Sequence, residues 1–378
     1  MTCSRSLGTG MDSGGFPWGE LGRALRSRSA CGFTLVELMV ALAIGTILLL
    51  ALATLFINTS SARAEIDRAS RQIESGRYAM QLLGDEIRHA GYLGPLINPP
   101  QNSAALTALP DPCSDTLANV QNATFLPLQG YAGAASATSL DTGKLGCLDS
   151  AAGYKANTAV IVVRHVDTSI SSVASSPTAG VFNMQVSGCA GDLSPYVLDT
   201  DVATDYTLHT NSAPGCTPIT AAPLANLTPF YIRIYFISTC SNSDCSAAGA
   251  DSVPTLKRID IGPSDASSPI VITPIVDGIE NMQFDYGIDN SPSPGDGIPD
   301  VYTDTSGYAS TVPTSISDWQ NVMAVRIYLL ARSVDASSGF VDQKTYALGS
   351  VSVTPGGSYR RHAYTQLVRL NNPAGRRE

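Results

Sequence analysis

Eight cysteines, four histidines and one knot of carboxylates are the residues in this 378-residue chain whose types could do chemistry. Cys3 and Cys31 stand apart from the other six, Cys113, Cys147, Cys189, Cys216, Cys240 and Cys245. No CxxC pair and no His-x3-5-His spacing completes a tetrahedral zinc site, so these six are expected to form disulfides in an oxidising compartment. They allow too many connectivities for spacing to choose among them. Cys240 and Cys245, bracketing the SNSD stretch between two strand-like runs, are the pair most easily closed. His89, His165, His209 and His362 are isolated, and GxSxG, HExxH, Walker and GxGxxG motifs are absent, so the chain reads as a non-enzyme without a cofactor. Asp285, Asp289, Asp296 and Asp300, with Asn290, gather hard oxygen ligands of the kind Ca²⁺ accepts. Pro292 and Pro294 fall where EF-hand ligands should be, which leaves a solvated acidic turn as the competing reading.

Glu37 is the one charge in an otherwise apolar or small run from Gly32 to Ile57. A helix from Phe33 to Ile57 is roughly 37 Å long, against a hydrocarbon core of about 30 Å, so it can span a membrane. A carboxylate inside such a run costs about 2.5 to 3.5 kcal/mol on insertion, which implies a partner. Gly32 followed by Phe33, Thr34, Leu35, Val36 and Glu37 resembles the type III signal of type IV prepilins and pseudopilins. The resemblance implies that prepilin peptidase cuts between Gly32 and Phe33 and that the new Phe33 amine is methylated. It also implies that Glu37 pairs with the amino terminus of a neighbouring subunit, since a paired buried charge is far less costly than an isolated one.

The segment before the run has no apolar core of its own and reads as a leader with basic residues, Met11 being an alternative start. Its removal takes four basic and two acidic residues, moving the formal charge from −9 to −11. Nothing basic enough remains to neutralise a phosphate backbone, so nucleic acid is excluded as a partner.

After Ile57 the helix should continue to His89 with one apolar face. Ile66, Ile73, Met80 and Ile87 recur every seven residues, with Ala69, Gly76, Leu83 and Ala90 between them, a stripe expected to pack on the protein's own sheet. Gly91, Gly94 and Pro95 stop the helix. From Leu96 to about Ala156 the text is rich in Pro, Asn, Ser and Gly and reads as surface loop. Strand signals follow at Thr158–Val166, Val181–Val186, Phe230–Ser238, Thr255–Ile261, Ile270–Val276, Asn281–Ile288, Val322–Ala331 and Arg361–Leu370. In Asn281–Ile288 the apolar residues Met282, Phe284, Tyr286 and Ile288 alternate with polar ones, so one face is core and the other polar.

The carboxy-terminal third narrows the resemblance. GIENMQFDYGID from Gly278, WQNVMAVRIYLLARS from Trp319 and RRHAYTQLVRLNN from Arg360 resemble the PilW type of minor pilin, as does RHAGYLG from Arg88. The fold expected is α+β: a long amino-terminal helix, half transmembrane and half amphipathic, packed on an antiparallel sheet with disulfide-closed loops. The divisions are a leader at 1–32, a membrane and filament-core helix at 33–57, an amphipathic helix at 58–90 and a β-rich periplasmic head at 91–378. The resemblance implies an inner-membrane protein that later reaches the pilus tip and helps initiate assembly. Its partners would be other minor pilins and the major pilin through the helix, prepilin peptidase, and a large tip-associated protein. Two alternatives stand beside it: a minor pseudopilin of a type II secretion system, and a signal-anchored periplasmic ligand-binding, adhesin-like module.

Overall fold

The computed structural model describes residues 34–96, 106, 108–140, 145–149, 151–169, 171–200, 202–210, 223–293, 295–303 and 311–377. The chain divides into two compact units at Ser61/Ala62. Helix α1 (Leu35–His89) crosses that boundary. In the first unit it is apolar all round, and the side chains from Leu35 to Ile57 are exposed, Gly45 excepted. The threonines in this stretch satisfy themselves, Thr46 and Thr54 donating to the carbonyls of Ala43 and Ala51 at 2.9 Å. No hydroxyl is thereby left for lipid to solvate.

The second unit is α+β. A seven-stranded antiparallel sheet is built from β1 (Leu128–Tyr131), β2 (Val160–Val166), β3 (Phe182–Val186), β4 (Tyr196–Asp199), β5 (Leu227–Ser238), β6 (Thr255–Ile261) and β7 (Ile270–Asp277). β5 is its spine: β2 lies along one edge, while β3 pairs with its first residues and β6 with its later ones. A four-stranded sheet runs in the order β13 (Arg361–Arg369), β10 (Val322–Arg332), β8 (Ile279–Ile288), β9 (Val301–Tyr302). The hairpin β11 (Tyr346–Leu348) and β12 (Val351–Val353) lies in the excursion between β10 and β13.

One core is shared by both sheets and the second half of α1. Ala79, Met80, Leu83 and Ile87 from the helix meet Ile161, Val163, Tyr235 and Ile237 of the large sheet and Phe284, Tyr286, Ile327 and Leu329 of the small one. A second core fills the other face of the large sheet: Val160, Val162, Phe182, Ile234 and Phe236 pack under Leu93, Val120, Leu145, Leu148 and Ala152. The stretch from Leu96 to Ala156, expected as surface loop, is therefore corrected. It contains α2 (Leu117–Ala123), β1 and a lid of buried leucines. The physical reason is visible in β2, where all seven residues are buried. Its apolar run Val160–Val163 presents large side chains to both faces and needs cover on both.

The alternation in β8 holds, with Met282, Phe284, Tyr286 and Ile288 in the shared core, and its polar face is buried as well. Asn281, Gln283 and Asp285 are buried because Tyr328 and Leu330 of β10 flank them on the same face and the β11–β12 hairpin packs over it. Gln283 keeps its amide satisfied by donating to the carbonyl of Asn157 and to Asn281 Oδ1, both at 2.9 Å.

Candidate functional site

The cleavage site expected at Gly32 and Phe33 lies outside the described residues. The structure begins one residue later, with Thr34 in place as a helix cap. Thr34 N and Oγ1 donate to Glu37 Oε2 at 3.1 and 2.9 Å, and Glu37 N donates back to Thr34 Oγ1 at 3.2 Å. This Thr-x-x-Glu capping box holds the carboxylate against the first turn, where the helix dipole favours negative charge. Glu37 is thus kept at the amino end of α1, exposed and turned to its own chain. Thr34 was not singled out by sequence reasoning, although the T-x-x-E spacing before an apolar run is its signal.

The second half of the helix meets the small sheet at close range. A Cβ on Gly76 would fall 2.3 Å from the ring of Tyr364 on β13, so the glycine is what lets helix and strand touch. Gln72 Nε2 donates to the Ala331 carbonyl at 3.0 Å, and Glu65 accepts from Arg360 Nε and Ser337 Oγ, both at 3.0 Å. Deeper in, Glu86 accepts from Arg233 at 2.7 Å and faces His165 Nε2 at 3.4 Å. Burial by itself raises the Glu86 pKa, yet His165 and Arg233 hold it below the usual value.

The expected stripe is buried only from Gly76 onward: Ile66 and Ile73 are 66% and 47% exposed, and the inward residue there is Gln72. α1 ends at His89, and Gly91 takes φ +71° as a left-handed terminator. Asn372 Nδ2 reaches the carbonyls of Arg88, His89 and Ala90 at 3.2 to 3.4 Å. These are carbonyls at the helix end, where the intrahelical ladder runs out; that of His89 also accepts the Tyr92 N–H at 2.9 Å.

Asp285, Asp289, Asp296 and Asp300, the candidate calcium ligands, are not brought together, and no cluster among the described residues could hold a metal. Each is already engaged. Asp285 faces Arg326 at 3.9 Å, and Asp289 accepts from Arg377, Gly297 N and Ser291 N. Asp296 caps Ile298 N, and Asp300 binds Asn290 N.

Cys113 is bonded to Cys147, and Cys240 to Cys245 across the turn between β5 and β6. Cys189 is also disulfide-bonded, and Cys216 lies outside the described residues. Of the histidines, His165 is buried in β2 and His209 Nδ1 lies 2.8 Å from Asp192. The His362 ring rests on that of Tyr364. None of these contacts assembles a nucleophile with a base. What the arrangement does is mechanical: it presents an apolar helix with a capped acidic start and fixes the helix's second half to a sheet.

Two family models match the chain, that of the type IV pilus-assembly protein W over 234–372 and that of the prokaryotic N-terminal methylation motif over 27–53. Curated proteins and solved structures give no match. The first stretch contains all three long strands of the small sheet, and the second contains the capping box and the start of the apolar helix. At the start of α1 and in the carboxy-terminal part of the head, then, the chain carries the signatures of a PilW-type minor pilin.

Proposed function

We propose that this chain is a minor pilin of the type IV pilus that is cut between Gly32 and Phe33, methylated at Phe33, and held in the inner membrane by the helix from 33 to 57. It then enters the filament through that helix, helps to initiate assembly and sits at the tip. The observation that carries this reading is the coincidence, in one chain, of the methylation motif on an apolar helix and the pilus-assembly match over the sheet that grips the same helix's second half. The match to the pilus-assembly family favours a pilus over a secretion pseudopilus. Other pilins are the partners of the helix, and Glu37 leaves its capping box to pair with a neighbour's methylated amine.

Size supports the tip. A head of about 290 residues has a radius of gyration of about 19 Å, against about 13 Å for one of about 100 residues, and crowding is least at a filament end. A large tip-associated protein would contact the head there.

The deciding experiment recovers the protein from membranes and from sheared filaments, reads its amino terminus and mass, and counts it against the major subunit. A methylated Phe33 terminus with a small number of copies confined to filament ends is expected. An intact leader, or a terminus near Arg63 from release of the head, overturns the pilin reading. A ratio near one along the shaft overturns the tip assignment alone.

A further inference from the structure

Lys257, on β6, is fully buried beside the Cys240–Cys245 bridge. Its Nζ donates to the carbonyls of Asn242 at 2.5 Å and Ala152 at 3.4 Å, and touches both sulfurs, Cys245 Sγ at 3.2 Å and Cys240 Sγ at 3.5 Å. Ser238 Oγ lies 3.1 Å from Cys245 Sγ on another side. Gly153 makes the room: its φ is +69°, and a Cβ there would sit 2.4 Å from Cys245 Sγ. The carboxylates whose charge reaches Lys257 are Asp251 and Asp244. Both are spent on other donors, Asp251 on Ser241 and Val253 N and Asp244 on Ser246. Burial pushes the ammonium's pKa down.

Two of the four acceptors around the buried ammonium are disulfide sulfurs, and these are weak because bridged sulfur carries little charge. Opening the bridge replaces those acceptors with a thiolate. A thiolate beside a cation is stabilised, and a disulfide whose reduced form is stabilised is both more oxidising and faster to exchange. Among the described residues no cation stands against Cys113–Cys147, where Cys113 Sγ accepts the backbone N–H of Cys147 at 3.3 Å.

We propose that Cys240–Cys245 is a thiol-exchange site for a dithiol, with Lys257 as the positioning cation for both leaving thiolates. Cys240 is buried and Cys245 partly exposed, so the attacking thiolate meets Cys245 Sγ. The Cys240–Cys245 bond breaks, a mixed disulfide forms on Cys245, and Cys240 leaves as a thiolate within reach of Nζ. The second thiol of the dithiol, deprotonated, then attacks the reagent's own sulfur in the mixed disulfide. It departs as a cyclic disulfide and releases the Cys245 thiolate between Nζ and Ser238 Oγ. Two electrons pass from the dithiol to the two cysteines. One of its protons goes to the cysteine that the ammonium does not hold as thiolate, and the other to solvent. Opening uncouples the connection from 239 to 254 from its covalent closure while Cys113–Cys147 stays shut.

The test equilibrates the full-length protein in detergent with graded ratios of reduced to oxidised dithiothreitol, traps free thiols by alkylation and maps them by peptide mass. Cys240 and Cys245 are expected to label at a lower reduced fraction than Cys113 and Cys147. Lys257→Met should raise the ratio needed about tenfold, equivalent to about 30 mV, while Lys257→Arg keeps the wild-type midpoint. Should Lys257→Met not fold, the wild type itself decides: after selective opening, the alkylation rate of Cys245 against pH should have its midpoint below the ordinary thiol value of about 8.5. Cys113–Cys147 opening first, an unmoved midpoint in Lys257→Met, or an ordinary alkylation profile would each overturn the proposal.

Discussion

The central strands β2 and β8 of the two sheets in the second unit are buried on both faces, and the outer face of each is covered by different chemistry. Over the seven-stranded sheet the cover is apolar: Leu145, Leu148 and Ala152 sit on Val160, Val162 and Phe236, with Cys113–Cys147 closing the lid on itself. Over the four-stranded sheet the excursion between β10 and β13 is tied by charge. Arg361, whose side chain is 2% exposed, donates to Glu280 of β8 and, at 2.9 Å, to Asp342 of the excursion. Tyr346 adds a hydrogen bond to the same Asp342 at 3.0 Å. An apolar lid gains area whatever its register and loses stability in proportion to the area removed. A charged lid fixes one register and fails abruptly when a single partner is missing.

Removing one member of the charged lid should therefore have the largest effect. Asp342→Ala leaves Arg361 short of a buried counter-charge and should cost about 3 to 5 kcal/mol in urea unfolding; a loss below about 1 kcal/mol would show that the two lids are held alike. Leu148→Ala should cost about 2 to 4 kcal/mol through the cavity it opens, with no change in the pH dependence of stability.

Acid separates the lids more finely. Burial by itself raises the pKa of Asp342, but the Lys344 N–H, Arg361 and Tyr346 outweigh it and hold the carboxyl below its usual value. A depressed folded pKa contributes stability above the unfolded value near pH 4, and that contribution disappears as pH falls through the folded pKa. Stability should thus drop below about pH 4 in the wild type and in Leu148→Ala, and more shallowly in Asp342→Asn, as chemical unfolding at stepped pH will measure. The smallest effect expected is that of Asn372→Ala, about 1 kcal/mol for helix-end carbonyls that water can partly serve. Amide exchange should rise in the last turn of α1 and not in either lid.

Sequence made the frame legible where one periodicity dominated. β2, β5, β6, β7, β8, β10 and β13 fall where their apolar runs place them, because a long run of Val, Ile and Tyr has few other uses. The apolar lid was illegible because its leucines are spaced by Pro, Gly and Ser with no period, and only the need to cover the outer face of β2 pointed to it. Nothing in the types of the polar residues of β8 announces the hairpin that lies over them.

The helix stripe holds from Gly76 onward and gives out before it for a geometric reason. A seven-residue repeat drifts by about 20° per heptad on a straight helix. Between Ile87 and Ile66 that drift amounts to three heptads, enough to carry Ile66 off the sheet and put Gln72 inward. At the amino end, Glu37 stood out as a lone charge, while its bond to Thr34 needed the T-x-x-E spacing to be noticed. Lys257 had no signal at all: a lysine in an alternating strand looks solvent-facing until the bridge it touches is seen.

The bond from Asn372 to the end of α1 has a consequence for how the protein is made. The asparagine is 284 positions beyond Arg88, whose carbonyl it caps. The helix therefore emerges from the ribosome long before the residue that finishes its last turn exists. β13 and the tail behind it must be threaded home against a helix already formed. Pairings this distant in sequence are slow to form. The newly made chain would accordingly wait with β10 unpaired along one edge until β13 arrives.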